Sequence, residues 1–182
     1  MMGMGSTQAP SDSPPLSSVA GGYRDDGILL TALGLADALA LMEVIHPGPY
    51  YWAGVIVAVL LFTVGYVALV DHNQKWLTTA IEGAVAITEN AAVRDHQGLA
   101  QKTLLMVVLY GALNAAWVLW GRTLGVGSGL VPGMMIAQGV TMLVRGERVR
   151  SWQRDHNSEL LASFGWKRRY QRGYFVRPMA HP

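Results

Sequence analysis

The amino-acid sequence predicts an all-α fold: a polytopic membrane protein built as a four-helix transmembrane bundle with both termini cytoplasmic. Three observations carry this expectation. Tyr51 to Val70, YWAGVIVAVLLFTVGYVALV, is a run of twenty residues without a formal charge. At ~1.5 Å per residue such a helix covers about 30 Å, the thickness of a bilayer's hydrocarbon core. The composition is 51% hydrophobic and 14% charged, with a mean hydropathy of +0.26, whereas a soluble domain carries roughly 25% charged residues. Finally, threading four spans puts thirteen of the fourteen Lys and Arg on one side and leaves only Arg122 opposite. Positive residues are retained in the cytoplasm, which sets the orientation and a multi-pass location in the cell membrane.

The elements follow from the chain in order. Residues 1–23 are rich in Ser, Pro and Gly, hold no Lys or Arg and no apolar run, so they read as a disordered N-terminal tail without a signal peptide. The membrane domain covers residues 24–146. Its first span, residues 27–45, opens with Asp25 or Asp26 as N-cap and is interrupted by Asp37 and Glu43. Small residues at Ala32, Gly34, Ala36, Ala38 and Ala40 suit close packing on a neighbouring helix. Pro47-Gly48-Pro49 turns the chain into the second span, residues 51–70, making an antiparallel hairpin. Residues 72–101 are mixed in character and predict an amphipathic cytoplasmic segment with Trp76, Leu77, Ile81 and Val85 on one face. The third span is residues 103–120, anchored by Trp117 and Trp120. The fourth, residues 124–144, begins among glycines and contains Pro132, so a partly re-entrant start is the alternative. Residues 147–182 form a basic, aromatic cytoplasmic tail.

Candidate chemistry is sparse. Asp37 is an ionisable group in mid-span, where charge is costly and normally faces a helix interior or water. Counting along the helices brings Asn114 to the same depth, with Tyr110 one turn away and Gln138 nearby on the fourth span. This intramembrane polar cluster is read first as interhelical glue and second as a cation or proton site. Asp-His occurs at Asp71-His72, Asp95-His96 and Asp155-His156, but the spacings match no metal-ligand motif, and residues of this kind are ordinary at loop and helix ends. Glu43 and His46 are helix neighbours at the outer end of the first span and read as interfacial. The basic residues Arg145, Arg148, Arg150, Lys167, Arg168, Arg169 and Arg172 are candidates for docking anionic lipid headgroups or a partner protein.

The absence of cysteine excludes disulfides and thiolate chemistry. No phosphate loop, dinucleotide fingerprint or nucleophile elbow occurs. No cofactor, no metal and no nucleic-acid partner is expected. The functional expectation is a non-enzymatic protein of the lipid bilayer, an assembly or accessory subunit of a homo-oligomer or a larger membrane complex. An oligomeric ion conductor using Asp37 is the alternative, and a membrane enzyme using the Asp-His pairs a weaker one.

Overall fold

The computed structural model describes residues 16–45, 50–66, 68, 75–87, 105, 107–113, 115, 129–163 and 173–179. In chain order these form β1 (Leu16–Ser18), α1 (Val19–Ile45), α2 (Tyr51–Tyr66), α3 (Lys75–Glu82), β2 (Val85–Ala86), α4 (Leu130–His156), β3 (Ser158–Ser163) and β4 (Tyr174–Pro178). Residues 107–113 are also helical.

Local chemistry sets the ends of the long helices. Ser18 Oγ accepts the Gly21 N–H at 3.3 Å, the N-cap bond that satisfies one of the orphan donors of a first turn. α1 therefore starts eight residues before the predicted Gly27, and Asp25 and Asp26 lie inside it. Gly21 and Gly22 are poor helix formers, but Val19 and Ala20 just ahead of them are buried with Val149, Leu160 and Ala162, and this packing outweighs propensity. α4 ends at Asn157, whose left-handed conformation (φ 46°, ψ 41°) directs its N–H to the Gln153 and Arg154 carbonyls. Asparagine tolerates that conformation better than most residues, and Arg154 and His156 in the last turn complement the negative end of the helix dipole.

α4 is the element the others lean on. A Cβ at Gly27 would stand 2.9 Å from the Gly139 carbonyl oxygen, and one at Gly34 would stand 2.8 Å from Ile136 Cγ1. Gly146 faces Tyr23 and Ala20 less tightly, at 3.3 and 3.4 Å. Numbers rise on one helix as they fall on the other, so α1 and α4 run antiparallel with their backbones close together. On another flank a Cβ at Gly129 would meet the Tyr51 carbonyl oxygen at 2.7 Å, and one at Gly133 the Val55 carbonyl oxygen at 2.8 Å. Here the numbers rise together, so α2 runs parallel to α4 and antiparallel to α1. Thr31 and Thr141 lie within these packed helices and return their hydroxyls to the Gly27 and Ala137 carbonyls, each at 2.8 Å, which spares the contact an unpaired donor.

The four-stranded sheet has the order β1-β3-β4-β2. β1 and β3 are antiparallel with Leu16 opposite Ser163, β3 and β4 antiparallel with Leu160 opposite Val176, and β2 and β4 parallel with Val85 opposite Phe175. Its inner face, with the start of α1 and the end of α4, forms a core of Val19, Ala20, Val149, Leu160 and Ala162. Tyr23, Leu77, Ala84, Trp152, Tyr174 and Val176 close around it. Glu159 and Arg177, opposite each other across β3 and β4, form an ion pair of the cross-strand kind.

This architecture overturns the predicted four-helix transmembrane bundle and, with it, the multi-pass membrane location. Among the described residues no helix is long and apolar enough to cross a membrane. Among the described residues α2 runs over 16 residues, Tyr51–Tyr66, within the predicted span of twenty, a length of about 24 Å. α1 carries Asp25, Asp26, Asp37 and Glu43 along its length. α4 keeps its uncharged stretch only to Val144, and from Arg145 onward it is polar. The all-α class is corrected as well, because helices are joined by a sheet. Residues 16–23, part of the predicted tail, form β1 and the first residues of α1, and the basic tail supplies β3 and β4. Of the third predicted span, residues 105, 107–113 and 115 are described. The turn at Pro47-Gly48-Pro49, together with Trp117 and Trp120, lies outside the described residues.

Close helix contact makes a direct test. Gly139→Leu is expected to destabilise the fold by at least ~2 kcal/mol through overpacking. Gly22→Ala, where an added Cβ meets nothing within 4 Å, should stabilise it by roughly 0.5–1 kcal/mol through helix propensity. Urea unfolding of both variants checks the pair, and equal effects would contradict the packing described.

Candidate functional site

Two polar nodes sit on the helices. Tyr51 is buried at the start of α2, and its hydroxyl donates to the Ala38 carbonyl on α1 at 2.9 Å. Burial, and behind it the negative charge of Asp37, pushes the Tyr51 phenol up to about 12. Asp37 is half-buried on α1 and makes interactions of its own. In the second node the Tyr110 hydroxyl donates to Gln138 Oε1 at 2.7 Å, tying residues 107–113 to α4, and burial raises the Tyr110 phenol above its ordinary range. Of the four residues predicted to gather, Tyr110 and Gln138 are thus in direct contact. Asp37 stands beside Tyr51, and Asn114 lies outside the described residues. The Tyr51 hydroxyl was missed because nothing in an aromatic residue at a helix start signals that its ring will be buried.

The basic candidates divide in the same way. Arg145 lies over the Tyr66 ring, 4.7 Å from its centre, a cation–π contact that shields part of the guanidinium from water. Tyr23 is hydrogen-bonded to Arg145, and its phenol is raised by burial, against the lowering effect of that guanidinium, with Tyr174 and Tyr66 adding to the rise. Four elements therefore meet here: α1 through Tyr23, α2 through Tyr66, α4 through Arg145 and β4 through Tyr174. This joint between helices and sheet has no local sequence signature, since its members are scattered along the chain. Arg148, one turn on, is half-buried and makes interactions of its own. Arg150 pairs with Glu147 at 3.6 Å and Arg154 with the same carboxylate at 3.1 Å, both on the exposed face of α4. Lys167, Arg168, Arg169 and Arg172 lie outside the described residues.

Of the Asp-His pairs, Asp155-His156 alone is described, at the end of α4. The His156 ring stacks on Trp152 with centres 4.8 Å apart, and its Nδ1 lies 3.0 Å from the Trp152 carbonyl oxygen. Among the described residues no three side chains of metal-ligating type gather. Asp71-His72, Asp95-His96 and His46 lie outside the described residues, and Glu43 is exposed.

The most extensive feature is apolar. α2 exposes Trp52, Ile56, Val57, Leu60, Leu61, Phe62 and Val64, with Leu61 at 66% and Val64 at 63%. α1 exposes Ile28, Leu35, Leu39 and Met42, and the 107–113 stretch exposes Val107, Val108, Leu109 and Leu113. On α1 and α2 the positions turned to α4 are held by Leu30, Gly34, Ala38, Gly54, Val55 and Ala58, which are buried. Of the predicted small-residue set on α1, Gly34 and Ala38 are buried, whereas Ala32, Ala36 and Ala40 are exposed. Comparison with known proteins finds no matching family model, no similar curated protein and no similar solved structure.

The buried Tyr51 contact predicts a pH response. A phenol whose folded pKa of about 12 exceeds its unfolded value of ~10 resists ionisation only when folded, so stability falls as pH rises from about 10 to 12. Tyr51→Phe should lose ~1 kcal/mol at neutral pH, the worth of the hydrogen bond to Ala38. It should also flatten the alkaline decline in denaturant-unfolding curves, and an unchanged alkaline decline would contradict the burial of this hydroxyl.

Proposed function

We propose that this chain is a non-enzymatic assembly subunit that works by presenting apolar helix faces to another polypeptide. The observation that carries the reading is the outer half of α2, where Trp52, Ile56, Val57, Leu60, Leu61 and Val64 are exposed along a helix that has no charge from Tyr51 to Tyr66. At about half exposure these six leave on the order of 600 Å² of apolar surface, the upper end of the roughly 300–600 Å² of the largest patch on a typical monomer. That amount approaches the ~800 Å² that each partner brings to a stable interface. Burial against a partner would recover about 25 cal/mol for each Å², offset by the cost of association.

The alternatives draw less support. Ion conduction requires Asp37 within a spanning helix, and α1 is not long and apolar enough to cross a membrane. Catalysis by Asp-His pairs has one described representative, with the imidazole of His156 packed on Trp152.

Light scattering of the purified chain tests the proposal, with every component of the particle identified. The expected mass exceeds 19.7 kDa, through additional copies or a stoichiometric partner. Leu61→Lys on the α2 face should lower that mass while the helical circular dichroism stays unchanged. A wild-type particle of one chain alone, at all concentrations, would contradict the proposal.

A further inference from the structure

We propose that the exposed stripe of α1 seats the same stripe of a second copy of this chain, the two helices running antiparallel. This rests on the assembly reading and names its partner. Ile28, Ala32, Leu35, Leu39 and Met42 follow one another at intervals of four, three, four and three residues, and all five are exposed. Such alternation is the seam along which one helix packs knobs-into-holes on another at a shallow angle. α1 already has one filled seam, since Gly27, Leu30, Gly34 and Ala38 are buried on its other side. The exposed seam is apolar throughout and ends in one charge at each extremity. Arg24 lies four residues before Ile28 and Glu43 four residues after Leu39, both exposed. Asp25 and Asp26 beside Arg24 are half-buried and take part in interactions of their own.

Those end charges select the occupant and its direction. Laid antiparallel with Leu35 on Leu35, a second α1 brings Ile28 against Met42 and carries Arg24 to within a turn of Glu43 of the second copy, twice in each dimer. Parallel pairing would instead set Arg24 on Arg24 and Glu43 on Glu43, and like charges placed together disfavour that register. A self-complementary patch of this kind is what a two-fold interface requires. With Ala36, Ala40 and the end charges, the seam presents on the order of 600 Å², so two copies bury about 1,200 Å², the lower bound for a specific interface. The dimer is therefore concentration-dependent.

Sedimentation equilibrium of the full-length chain over a wide concentration range tests this, using Arg24→Glu and Glu43→Arg separately and mixed. Wild type should dimerise reversibly. Each single variant turns both attractive pairs repulsive and should weaken its own dimer about tenfold. The equimolar mixture should recover wild-type strength. In the mixed dimer the carboxylate introduced at position 24 of one variant faces the guanidinium introduced at position 43 of the other, and the second pair is native. Leu39→Lys supplies a measurement independent of the end charges and should abolish dimerisation. A mixture no tighter than either variant, single variants equal to wild type, or a monomeric wild type would each overturn the pairing. A monomeric wild type that nevertheless purifies with a stoichiometric foreign chain, lost on Leu61→Lys, would overturn this inference and leave the assembly reading standing.

Discussion

The contact on which the rest of the structure depends is the close approach of α1 to α4. Gly27 and Gly34 on one helix and Gly139 on the other leave no room for a β-carbon without a shift of the facing helix, and Gly146 leaves little. Dispersion between well-packed atoms is individually weak and collectively large, so close backbone contact along these turns, with Leu30 and Met135 buried beside it, holds α1. The consequence lies on the opposite side. Because glycine and alanine share the inner positions with few large residues, Leu30 on α1 and Val55 on α2 among them, much of the leucine, isoleucine and valine of the two helices stands outward. A packing solution built on small residues thus generates the exposed apolar faces from which the proposed function is argued.

The sheet has a different logic. Its strands are short, and the pairing of β1 with β3 joins residues near the two ends of the chain. Strands this short hold little stability alone; they persist because Leu160 and Ala162 are covered by Val19, Ala20 and Val149 from α1 and α4. Arg145 lies over the Tyr66 ring and beside Tyr23, and Tyr23 and Tyr174 both pack against the core that the sheet shares with α1 and α4.

What could be read in the sequence follows the range of the interactions. The start of α2 at Tyr51 and the helical nature of residues 27–45 were legible, because long apolar runs and flanking turn residues act locally. The small residues of α1, Gly34 and Ala38 among them, signalled close packing without naming the partner helix, whereas the glycines of α4 were read as a break in the helix and not as its contact. Tyr110 and Gln138 were both in the predicted polar cluster, but their direct bond was not, and the hydroxyl of Tyr51 reaching Ala38 depends on burial that no local pattern reports. The sheet was illegible because SELLAS and YFVRP are too short for a period-two signal and pair with residues far away in sequence. The membrane reading failed on length and charge together: among the described residues α2 spans 16 residues of the run from Tyr51 to Val70, no helix there is long and apolar enough to cross a membrane, and the other long helices are interrupted by Asp37, Glu43 or Arg145.

The central claim is that α4 is the common support and the surrounding elements are held through it. Hydrogen exchange resolved to single amides measures this most directly. The account predicts that the slowest amides lie between Met135 and Val149 of α4 and exchange only through global unfolding, with the outer turns of α1 and α2 opening at lower free energy. Slowest exchange in the sheet, with α4 opening independently of it, would contradict the account.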